Sequence, residues 1–248
     1  MEKIRRLLPE TTSFSLHLMA MLFMLCDHLW ATVVPGNEWL TCVGRLAFPI
    51  FAFLIVEGYF HTRSLKRYAG RLLVFALLSE IPFNLVVGGG VFYPFHQNVL
   101  WTFLIGILLI HLNEKARGTG KLPVRIVTAA GTILLGSLLG LAAMTDYHFA
   151  GVLTVLVFYF LRGRSWPCLL GQALALAWIN LEMIGGYSYE LQLAGHTFYL
   201  VQQGFALLAL IPIWLYRGKQ GPHSRVWQYI CYGFYPVHLL ILGLLQGM

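Results

Sequence analysis

The chain is expected to fold as an all-α, polytopic membrane helix bundle of about nine transmembrane helices, with its N-terminus cytoplasmic and its C-terminus outside. Three observations predict this. The 248 residues are 58% hydrophobic and only 11% charged, with a mean hydropathy of +0.71, leaving too little polar surface to cover a soluble globule. Apolar runs near the roughly 20 residues that cross a bilayer core recur along the whole length. Sixteen of the seventeen Lys and Arg residues fall in every second gap between those runs, and short loops rich in Lys and Arg stay in the cytoplasm.

The spans are placed in order at 13–34, 41–60, 69–88, 97–113, 124–143, 148–161, 165–184, 198–216 and 227–247, the sixth being short. Lys3, Arg5 and Arg6 precede the first, and Arg63, Lys66, Arg67 and Arg71 follow the second. Lys115, Arg117, Lys121 and Arg125 follow the fourth, Arg162 and Arg164 the sixth, and Arg217, Lys219 and Arg225 the eighth. The remaining gaps hold no basic residue, so a miscount by one would spoil the alternation at every later loop. The net charge of +7 is thereby distributed as topology signals over five segments, which excludes a nucleic-acid partner.

No loop is long enough to fold separately, and residues 1–248 are expected to form a single integral-membrane domain. The apolar run that follows the basic start holds Asp27 and His28 and lacks a small-residue cleavage site, so it is a span and not a removable leader. Cys26, Cys42, Cys168 and Cys231 show no CxxC spacing and suggest neither a disulfide framework nor zinc. Gly136 and Gly140, four apart in the fifth span, match a small-residue face for close helix packing.

An ionisable group at membrane depth costs at least about 2.5 to 3.5 kcal/mol, so those retained face a protein interior or a wet cavity. Asp27 and His28 lie about two thirds of the way outward in the first span, and Arg45, the one basic residue outside the alternation, lies near the outer end of the second. Glu80 and Asn84 stand one turn apart in the third span, His96, Gln97 and Asn98 open the fourth, Asp146 and His148 open the sixth, and His238 sits mid-way in the ninth. Alternating helix direction carries all of these to the outer half of the membrane, where a shared cavity would collect them. Neighbouring helical residues point about 100° apart, so Arg45 suits Asp27 better as a partner than His28 does. Two readings stand: a structural Asp27–Arg45 pair beside a hydrogen-bonded His28, or a catalytic group. His17, Met21, Met24 and His28 share one helix face, which is a passage inward or ordinary packing; His17 is assigned no role.

At the inner end of the second span, Glu57 and His61 share a face and are followed by Arg63, Lys66, Arg67 and Arg71. This cluster suits the phosphates of a cytosolic donor such as coenzyme A, or is the positive-inside signal alone. Glu57 with His61 lacks a third ligand, and no metal is expected. Tyr232, Tyr235 and His238 recur at intervals of three around Pro236, as a polar site or a packing feature of a kinked helix.

The stretches Met21–His28, Gly44–Thr62 (GRLAFPIFAFLIVEGYFHT), Ser79–Asn84 (SEIPFN), Asn98–Thr102 (NVLWT) and Phe234–Leu239 (FYPVHL) resemble the TraX family, in the family's order and over nearly the whole chain. TraX proteins are associated with N-terminal acetylation of conjugative pilin, and the family is similar to the membrane acyltransferases that include the type-three acyltransferases and heparan glucosaminide acetyltransferase. The resemblance implies a multi-pass protein of the bacterial cytoplasmic (inner) membrane. Its implied activity is transfer of an acetyl or other acyl group from cytosolic acetyl-CoA or acyl-CoA to an amine or hydroxyl acceptor, whether small molecule, glycan or peptide N-terminus, at the membrane or its outer side. It places the general base at His28.

Around that base, Asp27 and Arg45 are expected to complete the catalytic group. Glu80, Asn84, Asn98, Tyr235 and His238 are expected to contact the acceptor, and His61, Arg63, Lys66, Arg67 and Arg71 the coenzyme A. Membrane lipid is the surrounding partner. Two other functions use the same buried polar groups: a proton-coupled small-molecule transporter, although the related halves and interrupted helices typical of one are not visible, and a non-catalytic membrane assembly factor.

Overall fold

A computed structural model of the protein describes residues 10–193, 195–222 and 224–247. Lys3, Arg5 and Arg6, and the side chain of Arg225, lie outside the described residues. The helices are α1 Ser13–Thr32, α2 Glu38–Gly44, α3 Ala47–His61, α4 Leu65–Gly88, α5 Val99–Gly118, α6 Leu122–Ala142, α7 His148–Phe160, α8 Trp166–Trp178, α9 Leu210–Leu215 and α10 Arg225–Gln246. A π-helical stretch, Ile179–Ile184, extends α8, and a 3₁₀ stretch, Gln202–Ala209, leads into α9. Among the described residues seven helical segments are long and apolar enough to cross a membrane; α7 and the segment Gln202–Leu215 are apolar but shorter. Each expected span overlaps one of these nine.

The eighth span is corrected at its start. Residues 198–201 belong to a two-stranded antiparallel hairpin, β1 Ser188–Leu193 paired with β2 His196–Val201, in register from Ser188 opposite Val201 to Leu193 opposite His196. Aromatic and β-branched residues (Tyr189, Thr197, Phe198, Tyr199, Val201) favour the pleat, and Gly195 at φ +81° supplies the left-handed turn.

Contacts group the chain into two compact units, residues 1–54 with 163–234 and residues 55–162 with 235–248. In the first, α1 starts with a reciprocal cap: Ser15 N donates to Thr12 Oγ1 (3.1 Å) and Thr12 N to Ser15 Oγ (2.8 Å). The strand-like stretch before it runs beside the exit of α9, with Thr11 N donating to Leu215 O (3.3 Å), Ser13 N to Lys219 O (2.9 Å) and Phe14 N to Gln220 O (3.1 Å). Glu10 pairs with Lys219 and, at 2.7 Å, with Arg217. The hydrogen bond from Lys219, followed by the charges of both bases, holds the Glu10 carboxyl below its ordinary range. At the opposite end, Tyr189 Oη donates to Glu38 Oε2 (2.9 Å) and lies 3.4 Å from Cys42 Sγ. Desolvation, and then the bond to Cys42, pushes this phenol above its ordinary value.

In the second unit α5, α6 and α7 pack on one another, and glycines set their separation. A Cβ on Gly106 would lie 2.7 Å from Val155 Cγ1, one on Gly136 2.7 Å from Leu109 Cδ1, and one on Gly140 2.6 Å from the carbonyl oxygen of His148. The expected packing role of Gly136 and Gly140 is thus met within side-chain and backbone contact. Tyr68, Leu72 and Ile107 form a buried cluster joining α4 to α5, and α10 approaches α4 where a Cβ on Gly243 would meet Leu85 Cβ at 2.8 Å. At the basic end, Arg162 Nε donates to Glu57 Oε1 (2.7 Å) and Nη2 to Glu57 Oε2 (3.3 Å).

Candidate functional site

In the first unit the chain crosses α1 over α2 so closely that a Cβ on Gly44 would stand 2.4 Å from Asp27 Cβ and 2.9 Å from its Cα. This approach delivers Asp27 to Arg45, whose Nη2 donates to Asp27 Oδ1 at 2.5 Å. Thr41 braces the pair, donating to Asp27 Oδ1 (2.8 Å) and accepting from Arg45 Nη2 (2.9 Å). Arg45 Nη1 reaches Gln203 Oε1 (3.4 Å), Gln203 Nε2 donates to Asn180 Oδ1 (2.9 Å), and Asn180 Nδ2 returns to Leu176 O (2.8 Å). With side chains 18% and 19% exposed, the ions are held by hydrogen bonds on several sides, the condition under which a buried pair is tolerated. His28, the next residue, is half-buried, and its carbonyl accepts from Thr32 Oγ1 (2.6 Å). The expected partnership of Asp27 with Arg45 is therefore present; Gln203 and Asn180 were not expected.

The second unit gathers other polar residues expected at membrane depth. Glu80 Oε1 accepts from Trp101 Nε1 (2.6 Å) and from Asn98 Nδ2, whose other amide proton goes to Ala76 O (2.9 Å). Asn98 Oδ1 caps α5 by accepting from Leu100 N (3.1 Å). All of Asn98's amide groups are thus engaged within the fold. Asn84, 5% exposed, donates to Val91 O (3.3 Å), while its buried Oδ1 has no hydrogen-bond partner among the described residues. Tyr235 is buried, its hydroxyl against the backbone of Val99 and within electrostatic reach of Asp146 and Glu80. The His238 ring lies 5.8 Å from that of Tyr235. Glu80, Asn98 and Tyr235 come together as expected, with Asn84 and His238 at the edges.

His96 and Asp146 belong to this cluster. His96 Nε2 lies 3.3 Å from Asp146 Oδ1, its ring stacks on His148 at 6.0 Å and meets Phe83 edge-on at 5.3 Å. The hydrogen bond to Asp146 outweighs desolvation and raises the His96 pKa above its ordinary value. Asp146 rides on a strained turn: Met144, Tyr147 and His148 have φ of 48°, 60° and 45°, a left-handed conformation that costs non-glycine residues about 1–3 kcal/mol each. Neighbours enforce it, through Gln97 N to Met144 O (2.9 Å), Asp146 N to Gln97 O (2.8 Å) and Thr102 Oγ1 to Asp146 O (2.8 Å). The paired turns bring together residues fifty apart, and no spacing rule along the chain signals that.

At the basic end, the Glu57 carboxylate that shares a helix face with His61 is taken by Arg162, which also lies 4.2 Å over the Phe60 ring. His61 Nδ1 turns to Glu57 O (2.8 Å). Arg63, Lys66 and Arg67 are exposed around the N-cap Ser64, and Arg71 stands 5.9 Å over Tyr68. Arg162 is the member of this group not anticipated.

The family model described as TraX protein matches residues 14–246. The chain is 26% identical over 247 residues to a protein of Dichelobacter nodosus named "Probable fimbrial assembly protein FimC, serogroup H1", covering 94% of this chain and 95% of that protein. No solved structure matches. With the family model spanning the described helices from α1 to the end of α10, this multi-pass membrane chain belongs to the TraX protein family.

Proposed function

We propose that this TraX family member is an acyltransferase of the bacterial cytoplasmic membrane that moves an acetyl or related acyl group from cytosolic acyl-CoA to an amine or hydroxyl acceptor. The observation that carries the proposal is the bracing of α1 at Asp27: Thr41 and Arg45 satisfy the carboxylate, and so fix the backbone of the adjacent His28. Neutral His28 removes the acceptor's proton as nitrogen or oxygen attacks the thioester carbonyl; the carbon–sulfur bond then breaks, and the coenzyme A thiolate leaves and is protonated. Arg63, Lys66, Arg67 and Arg71 supply cations for coenzyme A phosphates, with the His61 ring beside them.

General-base catalysis typically contributes about 10²- to 10⁴-fold. Purified protein given acetyl-CoA and a panel of amine and hydroxyl acceptors should release free thiol, and His28→Ala should lower that rate by about 10²-fold or more. Undiminished release by His28→Ala would overturn the assignment.

A second reading follows from the name of the Dichelobacter relative: a non-catalytic role in assembling surface fibres. Under that reading a host strain making His28→Ala at normal levels keeps its fibres unchanged, while disruption of the Asp27–Arg45 pair removes both protein and fibres.

A further inference from the structure

The basic end of the second unit holds a cavity of about 180 Å³ among the end of α5, the start of α6 and the end of α7, lined by Asn113, Arg117, Leu122, Arg125, Ile126, Ala129 and Phe160. Its charge is lopsided. Between residues 114 and 125 stand Lys115, Arg117, Lys121 and Arg125 against Glu114 alone. The Glu114 Oε1 atom already accepts from Arg117 Nη1 (3.1 Å) and Tyr159 Oη (2.7 Å). That contact uses one of the five N–H donors of Arg117, and among the described residues no carboxylate pairs with Arg125. Deeper in, Asn113 is 4% exposed and donates to Leu109 O (2.9 Å) and Thr132 Oγ1 (2.8 Å). Its donors are committed and its Oδ1 remains to accept. The outer lip is apolar: Leu122 and Ile126 are 61% and 60% exposed.

We propose that this cavity binds the headgroup of an anionic phospholipid from the basic, cytoplasmic leaflet. Arg125 and Arg117 would hold the phosphodiester by charge-assisted hydrogen bonds, Asn113 Oδ1 would accept from a headgroup hydroxyl, and the acyl chains would cover Leu122 and Ile126. A soluble phosphate satisfies the two guanidinium groups alone, whereas a lipid joins its headgroup to acyl chains that lie along the span beginning at Leu122. Positive-inside sorting needs the charges alone, and neither the hollow between three helices nor a buried amide in its lining.

The test is independent of any acyl transfer. The full-length protein in detergent is supplied with phosphatidylglycerol, phosphatidylcholine or glycerol 3-phosphate, and retention is read by native mass spectrometry and by thermal shift. One phosphatidylglycerol should be retained and should protect, in preference to the other two. Arg125→Gln should weaken retention about fivefold, as expected for one interfacial cation, while Lys115→Gln, outside the cavity, should change it little. Ala129→Leu, which fills the cavity at constant charge, should also weaken it, and carries the test if Arg125→Gln does not fold. Equal losses for Arg125→Gln and Lys115→Gln, or no preference over phosphatidylcholine, would show general surface attraction and overturn the site. Equal protection by glycerol 3-phosphate would assign it to a soluble phosphate instead.

Discussion

Arg45 and Asp27 are joined at 2.5 Å, with the Thr41 hydroxyl between them as both donor and acceptor. Removing one member of a largely buried ion pair leaves the other desolvated, typically at about 3–5 kcal/mol, whereas removing both is far milder. Asp27→Asn and Arg45→Met are each expected to lower the thermal midpoint in detergent sharply, and the double variant to recover most of the loss. Simple addition of the two losses would show that the ions act separately.

His96 offers a pH signature. Its folded pKa is raised above the unfolded value of about 6.5 by Asp146, so the pair's stabilisation is present in full below pH ~6.5 and disappears as pH climbs through the raised folded value. The thermal midpoint should fall over that interval. Asp146→Asn should flatten the slope by lowering the acid-side midpoint. A slope that survives unchanged in Asp146→Asn would point to another group, with His148 the first to examine.

Two glycines of α6 make a matched comparison. A Cβ on Gly140 meets the backbone of His148 at 2.6 Å, whereas one on Gly131 finds nothing within 4 Å. Gly140→Ala should cost about 1–3 kcal/mol through overpacking, and Gly131→Ala should be neutral or stabilising by up to about 1 kcal/mol through helix propensity. Thermal unfolding of the two variants side by side decides it; equal midpoints would contradict the close approach of α6 to the start of α7.

Arg162 grips both oxygens of Glu57 and covers Phe60. Only a planar guanidinium makes both contacts. Arg162→Lys is accordingly expected to be nearly as unstable as Arg162→Ala, within about 1 kcal/mol. Full stability of the lysine variant would reduce the contact to simple charge attraction.

The order of spans was legible because each side of the membrane leaves its own mark on the gaps. Three contacts within the units repeat that order without using composition: Thr11 with Tyr216, Gln97 with Thr145, and Glu57 with Arg162 each join ends that the basic residues assign to one side. The hairpin was hidden because Phe198-Tyr-Leu-Val201 runs straight into the apolar stretch that follows, and a short apolar run reads alike as strand or helix. Asp27 found its partner in advance because Arg45 was the one cation out of place. Gln203 and Asn180 carry no charge to betray them, and the pairing of His96 with Asp146 depends on two turns meeting in space.

The hydroxyl of Thr11 donates to the carbonyl of Pro212, 201 residues away, at 2.8 Å. During synthesis 201 residues separate the making of the two partners, so the entry to α1 is made long before the carbonyl that it bonds. A nascent chain halted before Pro212 would have its early spans made and capped by Thr12 and Ser15, with its first corner still lacking this tie.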